Sequence, residues 1–356
     1  MGLLLTPLQV LLRILKIEGP ILDFIAWIGY LGLGFISLLF VLLLMRDICI
    51  LLINFSNKLY RKAGLTYRNN KELKQLPDIE RRRLILNSVN IGLLAGSTLL
   101  TGYGCYQARS LPDIKKVEIK FFNLPKALIG LRIVQITDLH VSPTLRKAWV
   151  QMIVDQIPSL KPHLIVFTGD LADGSVLHLG NDVLPLAELT APYGKYFVTG
   201  NHEYYSGIYS WLAMIKNLGF TVLLNEHRII SHGSGKITLA GVTDFRAGNF
   251  LAEHTSNPEA ALSGAPKTDL KILLAHQPKS IFAAAKAGYD LQISGHTHGG
   301  QFFPWNLLVG LDQPFTGGLH RLTNTQIYVS RGTGYWGPPL RLLVPSEITL
   351  LKLGRA

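Results

Sequence analysis

Six segments of the chain each end an apolar run in a side chain able to bind metal. They are Asp138-Leu139-His140, Gly169-Asp170, Gly200-Asn201-His202-Glu203, Asp244, His276 and Gly295-His296-Thr297-His298. Their carboxylates, amide and imidazoles are enough to hold two adjacent divalent cations. Such a pair clamps the attacking and leaving oxygens of an in-line displacement at phosphorus, and lowers the pKa of bound water toward neutrality. Asp138 and His140 are one residue apart, so in a loop leaving a strand both can turn to one ion. Asp170 follows a glycine, which lets backbone come close, and a carboxylate there can bridge two ions. Asn201 offers a neutral carbonyl oxygen, and His296 and His298 fall on alternate sides of an extended loop. The donor set admits manganese, iron, zinc or a mixed pair. Each piece alone is weak, since Gly-Asp is often only a turn and a single histidine is often structural. Their order after successive strands carries the reading.

Those residues need scaffolding that brings distant loops together. β-rich runs at 132–137, 164–168, 196–199, 237–240, 271–275, 291–294 and 326–330 read as buried strands. Helical patterns at 145–157, 210–218 and 281–287 lie between some of them. This alternation predicts a layered α/β domain with mixed β-sheets in a sandwich flanked by helices. The polar residues fall just past strand ends, where ligand sites gather in open α/β sheets.

The first third of the chain is different. Of 356 residues, 48% are hydrophobic, and the excess lies at the N-terminus. Residues 24–45 are apolar and uncharged over a bilayer-spanning length, and residues 84–105 form a second, weaker candidate. Met1–Leu12 is too short to span and reads as an interfacial amphipathic segment. The expected organisation is a membrane module over 1–107 with a basic loop at 56–83, a connector at 108–123 and a catalytic domain over 124–356. The net charge is +12, and half of it lies in this loop between the two apolar runs, in nine Lys and Arg residues against three acids. Flanked by apolar spans, this cluster marks a cytoplasmic loop against anionic lipid more readily than a nucleic-acid surface. The rule predicts a multi-pass protein of a bacterial inner membrane with its catalytic domain outside the cytoplasm. Arg81-Arg82-Arg83 also looks like a twin-arginine export signal, although flanking charge explains it equally. Cys49 and Cys105, both in or beside apolar segments, leave no disulfide framework or thiolate metal site in the soluble part.

The ordered set resembles the calcineurin-like metallophosphoesterases over about residues 131–330, with every core motif present. The third motif usually ends in Asp, and Glu203 is a departure read as not touching a ligand. Gly299-Gly300-Gln301, Arg331-Gly-Thr-Gly334 and the 339–348 tail look like the membrane-anchored bacterial phosphoesterases of that superfamily. The resemblance implies one metal on Asp138, His140, Asp170 and His298, and a second on Asp170, Asn201, His276 and His296. It implies attack on phosphorus by a metal-bridging hydroxide, with His202 not a ligand but the group that protonates the leaving oxygen.

The leading expectation is therefore a membrane-bound phosphohydrolase acting on a membrane-proximal or lipid-linked phosphoester or diphosphate. One alternative is a pyrophosphatase of the UDP-diacylglucosamine type in lipid A synthesis. It works on the cytoplasmic side, against the inferred topology. A non-catalytic metal-binding membrane scaffold is a third reading, though no ligand is missing. A nuclease is disfavoured because the basic cluster lies away from the motifs, and no nucleic acid is expected. Asp244 reads as a loop residue or a group behind the ligands. Asp173 reads as solvated in preference to orienting the Asp170 loop. Arg331 could meet a phosphate or pair with Glu347. Tyr204, Tyr205, Tyr335 and Trp336 could form an apolar lip, with core packing as the competitor. Asn225, Glu226 and His227 could line the cleft or form a turn. His163, His178, His232, His254 and His320 read as structural.

Overall fold

The computed structural model describes residues 17–62 and 79–356. The expected Met1–Leu12 segment and the middle of the basic loop lie outside the described residues. In chain order the fold runs α1 (Pro20–Lys62), α2 (Ile79–Arg109), β1 (Asp113–Phe121), β2 (Arg132–Ile136), α3 (Lys147–Gln156), β3 (Leu164–Phe167) and α4 (Val176–Leu179). It continues with β4 (Lys195–Phe197), α5 (Asn201–Tyr205), α6 (Ile208–Asn217), β5 (Thr221–Val222), β6 (Glu226–His232), β7 (Gly235–Gly241) and β8 (Leu270–Leu274). It closes with α7 (Ile281–Ala287), β9 (Leu291–Ser294), α8 (Trp305–Leu308), β10 (Gly318–Leu322), β11 (Thr325–Val329) and β12 (Glu347–Arg355).

Two six-stranded mixed sheets pack face to face, ordered β1-β12-β2-β3-β4-β5 and β10-β11-β9-β8-β7-β6. The period-two alternation of each strand builds the layers. In β2 and β3, Ile133, Leu164 and Val166 point inward to meet Leu239, Ile272 and Ile293 of the other sheet. Their neighbours Val134, Ile165 and Phe167 point outward, onto Trp149 and Ile153 of α3 and Trp211 and Ile215 of α6. On the far side α7 covers the second sheet, with Ala284 against Ala240 and Leu273. The expected sandwich with flanking helices is what forms.

β2, β3 and β4 are mutually parallel, as are β7, β8, β9 and β11. Parallel strands deliver their following loops to one edge. Beneath that edge the buried Gln135 crosses between the sheets, donating to Thr168 Oγ1 and to the Ser294 carbonyl, each at 2.8 Å.

Residues 108–123 are not a connector. β1 pairs in parallel with β12 from Asp113↔Glu347 to Phe121↔Arg355 and forms an edge of the catalytic fold. Its lysines suit an exposed edge strand, and Ile119 alone in it is fully buried, so apolar alternation is hard to see. The helices also exceed the expected spans of 24–45 and 84–105. In α1 the charges of Arg46 and Asp47 do not end the helix, because Arg46 pairs with Asp47 at 2.7 Å and with Asn90 of α2. The flanks of the expected 56–83 loop are likewise helical, up to Lys62 and from Ile79.

α1 and α2 each include a stretch long and apolar enough to cross a membrane, Pro20–Tyr60 and Arg83–Arg109. Only their domain-side ends are covered. Just before α1, Glu18 accepts from the Ser175 backbone at 2.9 Å, and within it Asp23 meets His178 at 3.0 Å and also Arg146. Leu38 is the last α1 residue buried against the domain, and Ser97 is the first in α2. Beyond them roughly 36 Å of α1 and roughly 27 Å of α2 project, at about 1.5 Å per residue. Phe40, Leu51, Ile53, Leu84 and Ile91 are exposed on this projection.

The C-terminal loop locks the hairpin to the domain. Leu340 and Leu342 enter the groove left by Gly34 and Gly104, where a Cβ would crowd them, and the Arg341 N–H donates to the Gly104 carbonyl at 3.0 Å. Replacing the fully buried Leu340 by Ala should cost about 2–5 kcal/mol. Leu177→Ala, at a 98% exposed position, should stay within about 0.5 kcal/mol. Denaturant melts of the solubilised protein distinguish them, and equal stabilities would refute this packing role.

Candidate metal centre

Five of the seven candidate ligands leave their strands in a strained backbone. Asp138, His140, Asp170, His296 and His298 have φ of 54°, 47°, 58°, 72° and 49°. Left-handed backbone at such residues costs on the order of 1–3 kcal/mol each and gathers at functional sites. Two glycines make room for the resulting crowding. A Cβ on Gly200 would collide with Asp170 Oδ1, and one on Gly295 with Asp138 Oδ2.

The side chains converge as two clusters sharing one carboxylate. In the first, His140 Nε2 and His298 Nε2 are 3.0 Å apart, with Asp138 Oδ1 3.7 Å from His298. In the second, His276 Nε2 and His296 Nδ1 are 3.1 Å apart. Asp170 Oδ2 stands 3.1 Å from His276 and 3.6 Å from His140, between the two. Donor atoms of Asp138, His140 and His298, and those of Asp170, His276 and His296, each lie within 4.8 Å of one another. Asn201 Oδ1 is buried with no hydrogen-bond partner. A buried acceptor left unpaired costs free energy, which a cation beside it would recover. The oxygen and imidazole donors and this orphaned atom all fit divalent ions.

Groups behind the ligands fix their protons. His276 Nδ1 donates to the Thr168 carbonyl at 2.7 Å, which directs Nε2 toward Asp170. Asp173, read from the sequence as solvated, is buried instead. Its Oδ1 receives both His140 Nδ1, at 3.1 Å, and His202 Nδ1, at 2.5 Å. Partners of this kind orient metal-binding imidazoles and set their tautomer. Glu203 also differs from its reading. It does not ligate, but it accepts backbone N–H groups from Gly200, Asp170 and Leu171 at 2.6, 3.1 and 2.7 Å, so it holds the Asp170 loop directly. Burial and the Asp170 charge push its pKa up to about 7.

Arg341 had no role in the sequence reading. Its fully buried guanidinium donates to the His298 carbonyl at 2.9 Å, to His298 Nδ1 at 3.0 Å and to the Gly334 carbonyl. The available signal was a lone arginine in the apolar run Leu340-Arg341-Leu342-Leu343-Val344. A charge so placed is seldom buried unless paired.

Charge is finely balanced. Burial raises the Asp138 pKa. Burial opposes ionisation of Asp170 too, but His276 and His202 hold it well below the usual carboxylate range. Burial disfavours a charged His276, yet Asp170, Asp138 and Asp244 hold it well above the usual imidazole range. Burial and the neighbouring His276 bring His296 down to about 3. Burial, His140 and Arg341 keep His298 well below the ordinary value.

The remaining candidates separate cleanly. Asp244 is buried behind the site and receives Gln277 Nε2 at 2.9 Å. Tyr205 and Trp336 are exposed at the mouth, with ring centroids 5.2 and 5.9 Å from that of His202. Tyr204 and Tyr335 are core residues, bonded to His254 at 2.9 Å and to the Thr144 carbonyl at 3.2 Å. Asn225 forms a turn, bonded to Thr255 and Asn257, and His227 donates to the Ala261 carbonyl. Arg331 meets Glu347 through its backbone N–H at 3.3 Å, and its side chain is exposed. His163 pairs with Arg132, His178 with Asp23, His232 with Tyr193, and His320 with the Gly317 carbonyl.

Comparison with known proteins agrees with this geometry. The calcineurin-like phosphoesterase family model matches residues 131–300. A metallophosphoesterase of Helicobacter pylori is 39% identical over 278 residues, spanning 77% of this chain and 72% of that protein. The Bacillus subtilis metallophosphoesterase YkuE is 35% identical, over 76% of this chain and 97% of its own length. A zebrafish transmembrane protein with metallophosphoesterase domain is 37% identical over 73% of this chain. The match spans only 61% of that relative, less than two thirds of its length. A solved 5'-nucleotidase precursor from Thermus thermophilus aligns with a TM-score of 0.39 at 15% identity, over 63% of this chain and 55% of its own. The fold and the clustered donors fit one family. The chain belongs to the calcineurin-like metallophosphoesterase family.

Two tests follow. Asp173→Asn should weaken divalent-cation binding about 10- to 100-fold, measured by chelator competition, and unchanged affinity would show that Asp173 does not set the His140 ring. The second test is pH dependence. The folded pKa of His276 stands above its ordinary 6.5. In chelator, its paired imidazolium therefore stabilises the fold fully below about pH 6.5 and less as pH rises through the folded value. A cation needs the same ring deprotonated, so added manganese should stabilise more as pH rises. Melting temperatures with parallel pH slopes in chelator and in manganese would contradict this.

Proposed function

We propose that this chain is a membrane-bound phosphohydrolase dependent on two divalent ions. It would cleave a phosphoester or diphosphate bond on a membrane-proximal or lipid-linked substrate. The observation that carries this reading is Asp170 Oδ2, set between His140 and His276 within reach of both clusters. Asp138, His140, Asp170 and His298 would hold one ion, and Asp170, Asn201, His276 and His296 the other. Manganese, iron and zinc all suit these donors. When bound, the ions would supply an activated water and take up charge developing on phosphorus.

The chain's own residues do the rest. His202 faces the cleft, its Nδ1 held by Asp173 and its Nε2 3.9 Å from Asp170 Oδ2. A carboxylate behind the ring favours the imidazolium, which can give its proton to the departing oxygen. The backbone N–H of His202 donates to Asp170 Oδ1 at 2.9 Å, so acid and bridging carboxylate keep one spacing. Water's oxygen joins phosphorus and its surplus proton passes to solvent, the bond from phosphorus to the leaving oxygen breaks, and the His202 proton ends on that oxygen.

Membrane attachment through α1 and α2 is supported by their length, their exposed apolar surface and the zebrafish relative's name. The projecting hairpin is close to the roughly 30 Å of a hydrocarbon core. Lys58, Lys62, Arg81 and Arg83 lie at its far end, so the positive-inside rule puts the catalytic domain outside the cytoplasm.

The test is hydrolysis of matched phosphomonoester, phosphodiester and lipid-diphosphate substrates by the solubilised protein, after chelation and after manganese is restored. Activity should vanish and return. His202→Ala should lower kcat about 10²- to 10⁴-fold with metal retained, and Asp170→Asn should lose metal and activity together. Activity that survives chelation would sink the proposal.

A further inference from the structure

A cleft of about 590 Å³ runs outward from the ligands. His140, Asp170, Asn201, His202, His296 and His298 line its inner end. Its outer walls are apolar, made by Phe302, Trp305, Leu308, Val309, Trp336 and Leu33. Leu33 belongs to α1, the longer of the two bilayer-length helices, and so does Ser37 beside it. Among the described residues lining this cleft there is no lysine or arginine. A nucleotide, polyphosphate or nucleic-acid leaving group brings further phosphates, which proteins normally meet with such cations. Hydrocarbon needs none.

The walls are firm. Gln301, in left-handed backbone at φ 63°, donates to the Trp336 and Pro338 carbonyls at 3.0 and 2.9 Å and accepts the Trp336 N–H at 2.9 Å. Trp336 is thereby fixed edge-on to His202. Trp336 and Tyr205 thus flank His202 within the cleft. Of the lining, Trp305 is 48% exposed and Leu308 46%, and Leu311 beyond them is 85% exposed. Residues 302–311 carry no charge. This strip and α1 give the cleft a side opening onto apolar surface.

We infer that the outer cleft is a hydrocarbon subsite: the substrate is a phosphate ester whose leaving alcohol is a long alkyl or isoprenoid-like chain. The chain lies between α1 and the 302–311 strip while the phosphoryl group sits at the ligands. This rests on the phosphohydrolase reading for the position of the head group. A pocket of this volume is in the range that buries most of a small ligand.

The experiment uses full-length, detergent-solubilised, manganese-loaded protein and alkylphosphonates of increasing chain length bearing a bromine pair, read by tryptophan quenching. Affinity should rise about fourfold per methylene until the cleft is filled. Trp305→Gln and Leu308→Gln, at half-exposed positions that should fold, and Leu33→Gln on α1 should each flatten that slope. Equal slopes in wild type and all three variants, or no slope at all, would overturn the subsite. Hydrolysis of the matching alkyl phosphates is followed in parallel. Cleavage without a variant-sensitive slope removes the subsite and leaves the phosphohydrolase. A variant-sensitive slope without cleavage keeps the subsite and removes the phosphohydrolase.

Discussion

One buried carboxylate organises the catalytic end of this molecule. Asp170 stays ionised where burial alone would neutralise it, because imidazoles press on it from both clusters. An ionised group without water is tolerable only when fully paired. Everything nearby serves that condition. Glu203 holds the Asp170 and Leu171 backbone, Gly200 makes room for Oδ1, and the His202 backbone N–H satisfies that same oxygen. The strain in five ligand residues is the cost of aiming loops from both sheets at one point, and the sandwich core offsets it.

The apolar hairpin of α1 and α2 and this site share a part. Leu340 and Leu342 fill the groove between α1 and α2, while Arg341 between them reaches back to His298. A three-residue stretch thus has its apolar side chains in the helices and its charge against a ligand. Burial lowers the Arg341 pKa to about 10, with the Asp138 and Glu347 charges acting the other way, so it stays charged at neutral pH. The helices therefore complete one wall of the cleft and brace the His298 loop.

Much of this was legible because the fold writes its site at the ends of apolar runs. β9 and α7 fall where the periodicity puts them, seven of the eight candidate site residues fall in overlapping donor groups, and Asn201 lines the same cleft. What escaped has physical reasons. β1 hides its one fully buried residue among edge lysines, and β12 reads as a tail although it is the strand between β1 and β2. Asp173 looks like any loop acid until two distant rings are placed beside it. Arg341 needs the fold to show its partner. Among four candidate lip aromatics, Tyr205 and Trp336 face the cleft and Tyr204 and Tyr335 the core, and alternation over such short stretches does not separate them.

In the proposed function Asp170 couples two cation sites. Metal content per chain, measured after equilibration with manganese and removal of free ion, tests it most directly. Two ions per chain are expected in the wild type, and loss from both sites, not one, in Asp170→Asn. A wild-type chain that takes up no ion, or a variant that keeps both, would contradict it.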